Sequence, residues 1–251
     1  MVMSCAIRDE RASGQNGGVT GFDDPRLRPA PGLVIRQASA LEPQDDLDAS
    51  VDLLRRVASG ELAEERVVRL VAPAPTVAMS RRESRMPGYE DARAAAIRHG
   101  FTPAIRPTGG RAVAYDESCL VFDVISRDDA ELDPTRFFAA AGNTIVDALQ
   151  ELGLDARLGE VAGEYCPGEF SINARGVVKL IGTSQRAVRG ARLLSGMLAF
   201  GPVDRFVAVL TEVNAALGLD WDPATFGTMH VEDPSLARDS VEAALAAAFV
   251  S

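Results

Sequence analysis

Residues 176–190, GVVKLIGTSQRAVRG, place Lys179 in a strand-like run that ends at a Gly182-Thr183-Ser184-Gln185 turn. The valines and leucine around the lysine suit a pleated strand, and alternation points Lys179 to the face opposite Val178 and Leu180. A lysine in such a strand is ordinarily a solvated charge on an open sheet face. The composition argues against that here. Lys and Arg together number 26, and every one except Lys179 is arginine. A drift toward arginine has swept the positions where any cation serves. The survivor is therefore a candidate for a compact ammonium that a planar guanidinium cannot replace.

Just upstream lies Tyr165-Cys166-Pro167-Gly168-Glu169-Phe170-Ser171. A lone cysteine is more often a small buried hydrophobe than a nucleophile. Cys166, however, precedes a Pro-Gly turn, where a core cysteine is not expected. A turn keeps the sulfur accessible, and a neighbouring cation favours the thiolate. Cys119, inside the apolar run CLVFDVI, reads as packing, and Cys5 falls in the first 30 residues. Further upstream is Arg106-Pro107-Thr108-Gly109-Gly110-Arg111. Two adjacent glycines between β-rich segments allow φ > 0 or a close approach of backbone to ligand, and the flanking arginines can hold an anion or a carbonyl. Taken alone, this cluster reads better as a tight hairpin with solvated arginines. It is not a phosphate loop, because the GK[ST] ending is missing.

Around these clusters, residues 1–31 read as a flexible tail of Gly and Pro punctuation, and residues 32–251 as a single domain. GLVIRQA reads as a strand, and Pro43 opens a helix with Leu47, Val51, Leu54 and Val57 at helical spacing. VVRLVAP and TVAMS are short strands, and GYEDARAAAIRHG is a helix closed by Gly100. RAVAYD and CLVFDVIS read as two adjacent strands, and Asp133-Pro134 caps a long helix. Several strands then occupy 156–200, and two helices follow. The expected fold class is α/β of the α+β type: a central mixed, largely antiparallel sheet with flanking helices.

Composition narrows the function. With 47% hydrophobic and 25% charged residues, the chain is an ordinary globular one, not disordered, collagen-like or coiled-coil. A net charge of −10 makes nucleic acid a poor partner, since phosphate contacts need a basic face. No apolar run reaches the roughly 18 residues of a membrane span. Three irregularly spaced cysteines make no disulfide framework, which points to a reducing, cytoplasmic setting. His99 and His230 are too few and too far apart for a metal site, so no metal is expected.

Taken together, RPTGGRAVAYD (106–116), CPGEFSI (166–172) and residues 176–190 resemble the lipoate-protein ligase and octanoyltransferase family, which shares its fold with the biotin protein ligases. The resemblance covers residues 33 to about 200 in order. It implies that Arg106, Thr108, Gly109, Gly110 and Arg111 close over an acyl group or acyl-adenylate. It likewise implies that Lys179, followed by Gly182, Thr183, Ser184 and Gln185, contacts the acyl carbonyl. The Cys-Pro-Gly element is similar to the branch that moves octanoyl groups through an active-site cysteine, the amidotransferase type. Two departures count against the ATP-dependent ligase: Ser195-Gly196 stands where many ligases and octanoyltransferases carry His-Gly, and Gly109-Gly110-Arg111 stands where many ligases have three glycines.

What the resemblance implies is a two-step acyl transfer with Cys166 as nucleophile and Lys179 as carbonyl donor, requiring no cofactor. The donor would be an acyl-carrier protein or the glycine-cleavage H protein. The acceptor would be a lipoyl domain of a 2-oxoacid dehydrogenase, with the enzyme a monomer. Arg81, Arg82, Arg85, Arg186, Arg189 and Arg192 flank these motifs and are the expected dock for acidic carriers. The alternatives are an ATP-dependent lipoate ligase, with ATP and Mg as co-substrates, and a catalytically silent relative that binds acylated carriers.

Overall fold

The computed structural model describes residues 28–128 and 133–251. Most of the expected tail, with Cys5, lies outside the described residues. Its last part does not: Ala30 forms a parallel bridge to Val250, donating to the Phe249 carbonyl at 3.2 Å and accepting from Ser251 N at 3.1 Å.

Strand β1 (Gly32–Arg36) leads into helix α1 (Pro43–Ser59), and the chain returns as β2 (Arg66–Val71), parallel to β1. Such a parallel return requires a crossover, which α1 supplies. Pro43 opens α1 and Gly60, at φ 80°, closes it with its N–H on the Val57 carbonyl. Strands β3 (Thr76–Ser80), β4 (Thr102–Arg106) and β5 (Val113–Tyr115) form a small sheet in the order β4-β3-β5, with α2 (Tyr89–Arg98) between β3 and β4. The large sheet continues with β6 (Cys119–Asp128), β7 (Ala156–Leu158), β8 (Ile172–Ala174), β9 (Val178–Val188) and β10 (Gly190–Ala199). Its seven strands run β1-β2-β6-β10-β9-β8-β7, and every pairing after the first is antiparallel. Helix α3 (Pro134–Glu151), whose Asp133 cap accepts from Thr135 N, follows β6, and α4 (Asp204–Ala216), α5 (Met229–Glu232) and α6 (Arg238–Phe249) complete the chain.

The period-2 pattern of β6 accounts for the layers. Leu120, Phe122 and Val124 point into a core shared with α3 and α6, including Ile145, Leu149 and Phe249. On the other face Cys119 and Val121 meet the small sheet, α2 and α4, while Ile125 meets Leu54 and Val57 of α1. A strand covered on both faces loses the apolar–polar alternation, which is why CLVFDVI reads as nearly continuous hydrophobe.

One expectation fails here. RAVAYD and CLVFDVIS are consecutive strands but do not pair, because β5 joins β3 while β6 joins β2 and β10. The turn between them redirects the chain: Asp116 accepts from Ser118 N at 2.9 Å and from its hydroxyl at 2.7 Å, and its carbonyl accepts from Cys119 N. Alternation reports which face a side chain takes but does not identify the neighbouring strand.

Candidate active site

A cleft of about 1270 Å³ opens between α1, the 106–111 loop, the 165–171 loop, β9 and β10. Every candidate site residue of the three motifs (Cys166, Lys179, Arg106, Thr108 to Arg111 and Gly182 to Gln185) lines it, so segments more than 70 positions apart converge.

The sulfur of Cys166 rests against the glycine loop and accepts the Arg111 N–H at 3.1 Å. Gly110 makes this approach possible. Its φ of 102° suits glycine, and a Cβ there would stand 3.2 Å from the sulfur and 2.5 Å from Arg106 Nη2. Gly109 is different: no atom lies within 4 Å of where its Cβ would be.

Several contacts fasten the loop. The Arg106 guanidinium donates to the Arg111 carbonyl. Arg186 Nη1 donates to the Pro107 carbonyl at 2.8 Å, and the Ser184 hydroxyl donates to Thr108 Oγ1 at 2.9 Å, so β9 clasps the loop. The buried Glu83 accepts from Ala112 N at 2.7 Å through one carboxylate oxygen. Its other oxygen accepts from the Ser80 amide and hydroxyl. Gln185 bridges sideways, accepting from Arg192 and donating to the Pro134 carbonyl, while Thr183 faces Gly196 across the ladder.

Lys179 is no solvated lysine. Its side chain is 3% exposed, and Nζ donates to the Cys166 carbonyl at 2.7 Å and to Glu164 Oε1 at 3.2 Å. The ammonium also lies 4.8 Å from the centroid of the Tyr165 ring. Its contact with Cys166 is thus with the backbone oxygen. Gly182 leaves room for the stem, since a Cβ there would sit 3.0 Å from Lys179 Cε. The strand itself is clamped on both sides, by Asn173 of β8 and by Gly227, whose N–H donates to the Lys179 carbonyl at 2.9 Å. Glu164 is fixed in turn by the Ser171 hydroxyl at 2.7 Å and Val161 N at 3.2 Å.

Burial pushes the Tyr165 hydroxyl well above its ordinary pKa, with negative charge on Cys166 and Glu164 adding to the effect, so it is a neutral phenol. Burial likewise pushes the Cys119 thiol up to about 12, in keeping with a packing cysteine.

The walls of the cleft include Leu47, Val113, Val121 and Met197, with Phe138 and Phe170 stacked 5.7 Å apart. One end is polar. Asp123 accepts from the Ser195 hydroxyl at 2.5 Å, the Ser50 hydroxyl at 2.6 Å and Arg69 Nη1 at 3.0 Å, and Arg69 also pairs with Asp46. Sequence reasoning did not find Glu83, Glu164 or this network. For Asp123 a signal existed, a lone carboxylate inside an apolar strand. For the two glutamates none did.

Of the six arginines proposed as a dock, Arg81, Arg82, Arg85 and Arg189 are exposed. Arg186 is half-buried and committed to Pro107. Arg192 is not available for docking: it is 5% exposed, reaches Asp128 at 3.3 Å and lies over the Phe137 ring. It follows Ala191 on a covered strand, so its charge needed internal partners.

Residues 42–218 match the lipoyl protein ligase A/B catalytic domain. An octanoyl-[GcvH]:protein N-octanoyltransferase of Anoxybacillus flavithermus is 34% identical over 139 residues, covering 55% of this chain and 49% of the relative. Lipoate-protein ligase A subunit 1 of Thermoplasma acidophilum is 34% identical over 115 residues, covering 45% and 44%. The chain thus matches about half the length of these curated relatives. Among solved structures, a lipoate-protein ligase A bound with ATP superposes at a TM-score of 0.70 and 22% identity, over 88% of this chain and 83% of that one, a likeness of fold. With a match that spans most of its length, the chain belongs to the lipoyl protein ligase A/B catalytic domain family.

Proposed function

We propose that this chain, over residues 32–251, is an octanoyltransferase that moves an octanoyl group from a donor carrier protein to a lysine of a lipoyl domain through a thioester on Cys166. The observation that carries the reading is the Cys166 sulfur, held 3.1 Å from the Arg111 N–H in the cleft that Lys179 also lines. The names of relatives such as the Anoxybacillus enzyme support the glycine-cleavage H protein as donor.

In the first step the Cys166 thiolate attacks the octanoyl carbonyl, forming a C–S bond and an oxyanion. The intermediate collapses with loss of the donor's lysine amine, which takes up the proton that the Cys166 thiol gave up. In the second step the amine of the acceptor lysine attacks the thioester, a C–N bond forms, the C–S bond breaks, and the amine's proton returns to the departing sulfur. Exchange of one amide for another is close to balanced in free energy, so no ATP and no cofactor enter. An ammonium has three N–H donors. Two of Lys179's are taken by Glu164 and the Cys166 carbonyl, which leaves one for the oxyanion, a donor worth about 3 kcal/mol of barrier. The apolar walls receive the acyl chain at about 0.8 kcal/mol per buried CH₂. A catalytic free thiol fits a reducing compartment, the cytoplasm, and the enzyme would act as a monomer on acidic carriers through the exposed arginines.

Incubation with octanoyl-loaded H protein in the absence of ATP, followed by intact mass, tests this. One octanoyl increment that vanishes in Cys166→Ser supports it. No increment from any octanoyl donor overturns it. The similarity to the Thermoplasma ligase subunit favours a second reading, ATP-dependent attachment of free lipoate, which labelling of a lipoyl domain by lipoate plus ATP would detect.

A further inference from the structure

The chain's own lysine lines the same cleft as the sulfur that would carry the acyl group. Lys179 Nζ touches the carbonyl of Cys166 itself, and both side chains line the cleft. Lys179 carries the same nucleophile, a primary alkylamine, as the lysine on the acceptor. A thioester on Cys166 could therefore discharge onto it. The C–S bond would break, an amide C–N bond would form, and the amine proton would pass to the departing thiolate. The product would be a stable octanoyl-lysine inside the enzyme and the loss of a catalytic cation.

We propose that Glu164 guards Lys179 against this self-acylation, an inference that rests on the thioester reading above. An ammonium has no lone pair with which to attack. Glu164 has a side chain with no exposed surface and holds Nζ at 3.2 Å, while its own two oxygens are fixed by Ser171 and Val161. The other groups facing Nζ are the Tyr165 ring, whose face also favours a cation, and Cys166. Arg106 lines the same cleft, with its guanidinium committed to the Arg111 carbonyl. Remove the carboxylate, and Nζ keeps only the Cys166 carbonyl and the Tyr165 ring as partners and loses the ion pair that holds it as a bound ammonium. Glu164 thus acts through Lys179 as a positioning residue.

The test loads the wild type, Glu164→Gln and Glu164→Asp with octanoyl, using octanoyl-H protein and, in parallel, octanoyl-coenzyme A. Neutral hydroxylamine then cleaves thioesters and spares amides. The wild type and Glu164→Asp are expected to lose the increment. Glu164→Gln is expected to retain at least about tenfold more of it, mapped by peptide mass to Lys179 and absent from Glu164→Gln/Lys179→Arg. A lost structural contact alone would lower acylation without creating an amide. If the wild type forms a thioester and Glu164→Gln yields only labile adduct, the guard is refuted while the transferase reading stands. If no thioester forms from either donor, both fall. Should Glu164→Gln not fold, the wild-type acyl-enzyme held without acceptor must stay labile and Ser171→Ala, which removes one of the carboxylate's donors, must raise the resistant fraction. Resistant Lys179 adduct in the wild type, or none in Ser171→Ala, would overturn the inference.

Discussion

The two glycines of the 106–111 loop are expected to respond oppositely to the same substitution. At Gly110 the backbone has φ 102°, and a left-handed conformation costs an alanine about 1–2 kcal/mol. The new methyl would also meet Arg106 Nη2 at 2.5 Å and strain its bond to the Arg111 carbonyl, a charged hydrogen bond worth about 1.5–3 kcal/mol when intact. Against this stands the entropy removed from the unfolded chain, about 0.4–1 kcal/mol. The balance is a loss of about 2 kcal/mol, which for a domain of this size lowers the melting temperature by about 4–8 °C. Chemistry should suffer more. The methyl would lie 3.2 Å from the Cys166 sulfur, pushing it from the Arg111 N–H and slowing octanoyl adduct formation by about 10²-fold. Gly109 has no atom within 4 Å of a would-be Cβ and no positive φ, so Gly109→Ala should leave the melting temperature unchanged or raised by a degree or two. Thermal melts and the time course of intact-mass adduct formation check both. Equal losses in the two variants, or an unshifted melt and undiminished acylation in Gly110→Ala, would refute the reasoning.

Lys179→Arg forces a longer planar group into the space bounded by Gly182, Tyr165 and Glu164, and adduct formation should fall about 100-fold; full activity would dispose of the argument from the sole lysine. Asp123→Asn leaves buried Arg69 with Asp46 as its one remaining charged partner among the described residues, and urea unfolding should show a loss of about 3 kcal/mol. Cys119 predicts an alkaline limb to stability. Its folded pKa is raised by burial, from 9.0 to about 12, so its contribution is complete below the unfolded value and is lost as pH rises from 9 toward 12. The unfolding free energy from urea titration should fall across that interval, by up to about 1.4 kcal/mol per pH unit from this group, and Cys119→Ala should flatten the fall; a limb unchanged by that variant would contradict the assignment.

Where the interactions were local, the sequence was mostly enough, although the expected Gly182–Gln185 turn is continuous strand of β9, paired with β10. The spacing of Leu47, Val51, Leu54 and Val57, the Asp133-Pro134 start and the stop at Gly100 rest on contacts within a turn or two, and α1, α3 and α2 stand there. Composition also argued against a solvated Lys179, since a lone lysine in an otherwise all-arginine set of cations is a candidate for a site where size and shape of the charge matter. Three motifs separated by tens of residues were joined by resemblance, and the cleft brings them together.

Tertiary packing decided the rest. Nothing in the alternation of β5 and β6 says that they belong to different sheets, because strand partners are set by hydrogen bonds between segments distant in the chain. Glu83 and Glu164 are two among 36 acidic residues and look solvated in sequence. Only the fold surrounds one with Ser80 and Ala112 and the other with Ser171 and Lys179. Arg192 changes from a surface charge to a buried one for the same reason. Propensity and periodicity are carried by neighbours along the chain and are legible there. Desolvation depends on what remote segments cover, and so the charges that position Lys179 and the glycine loop emerge only when the chain is folded.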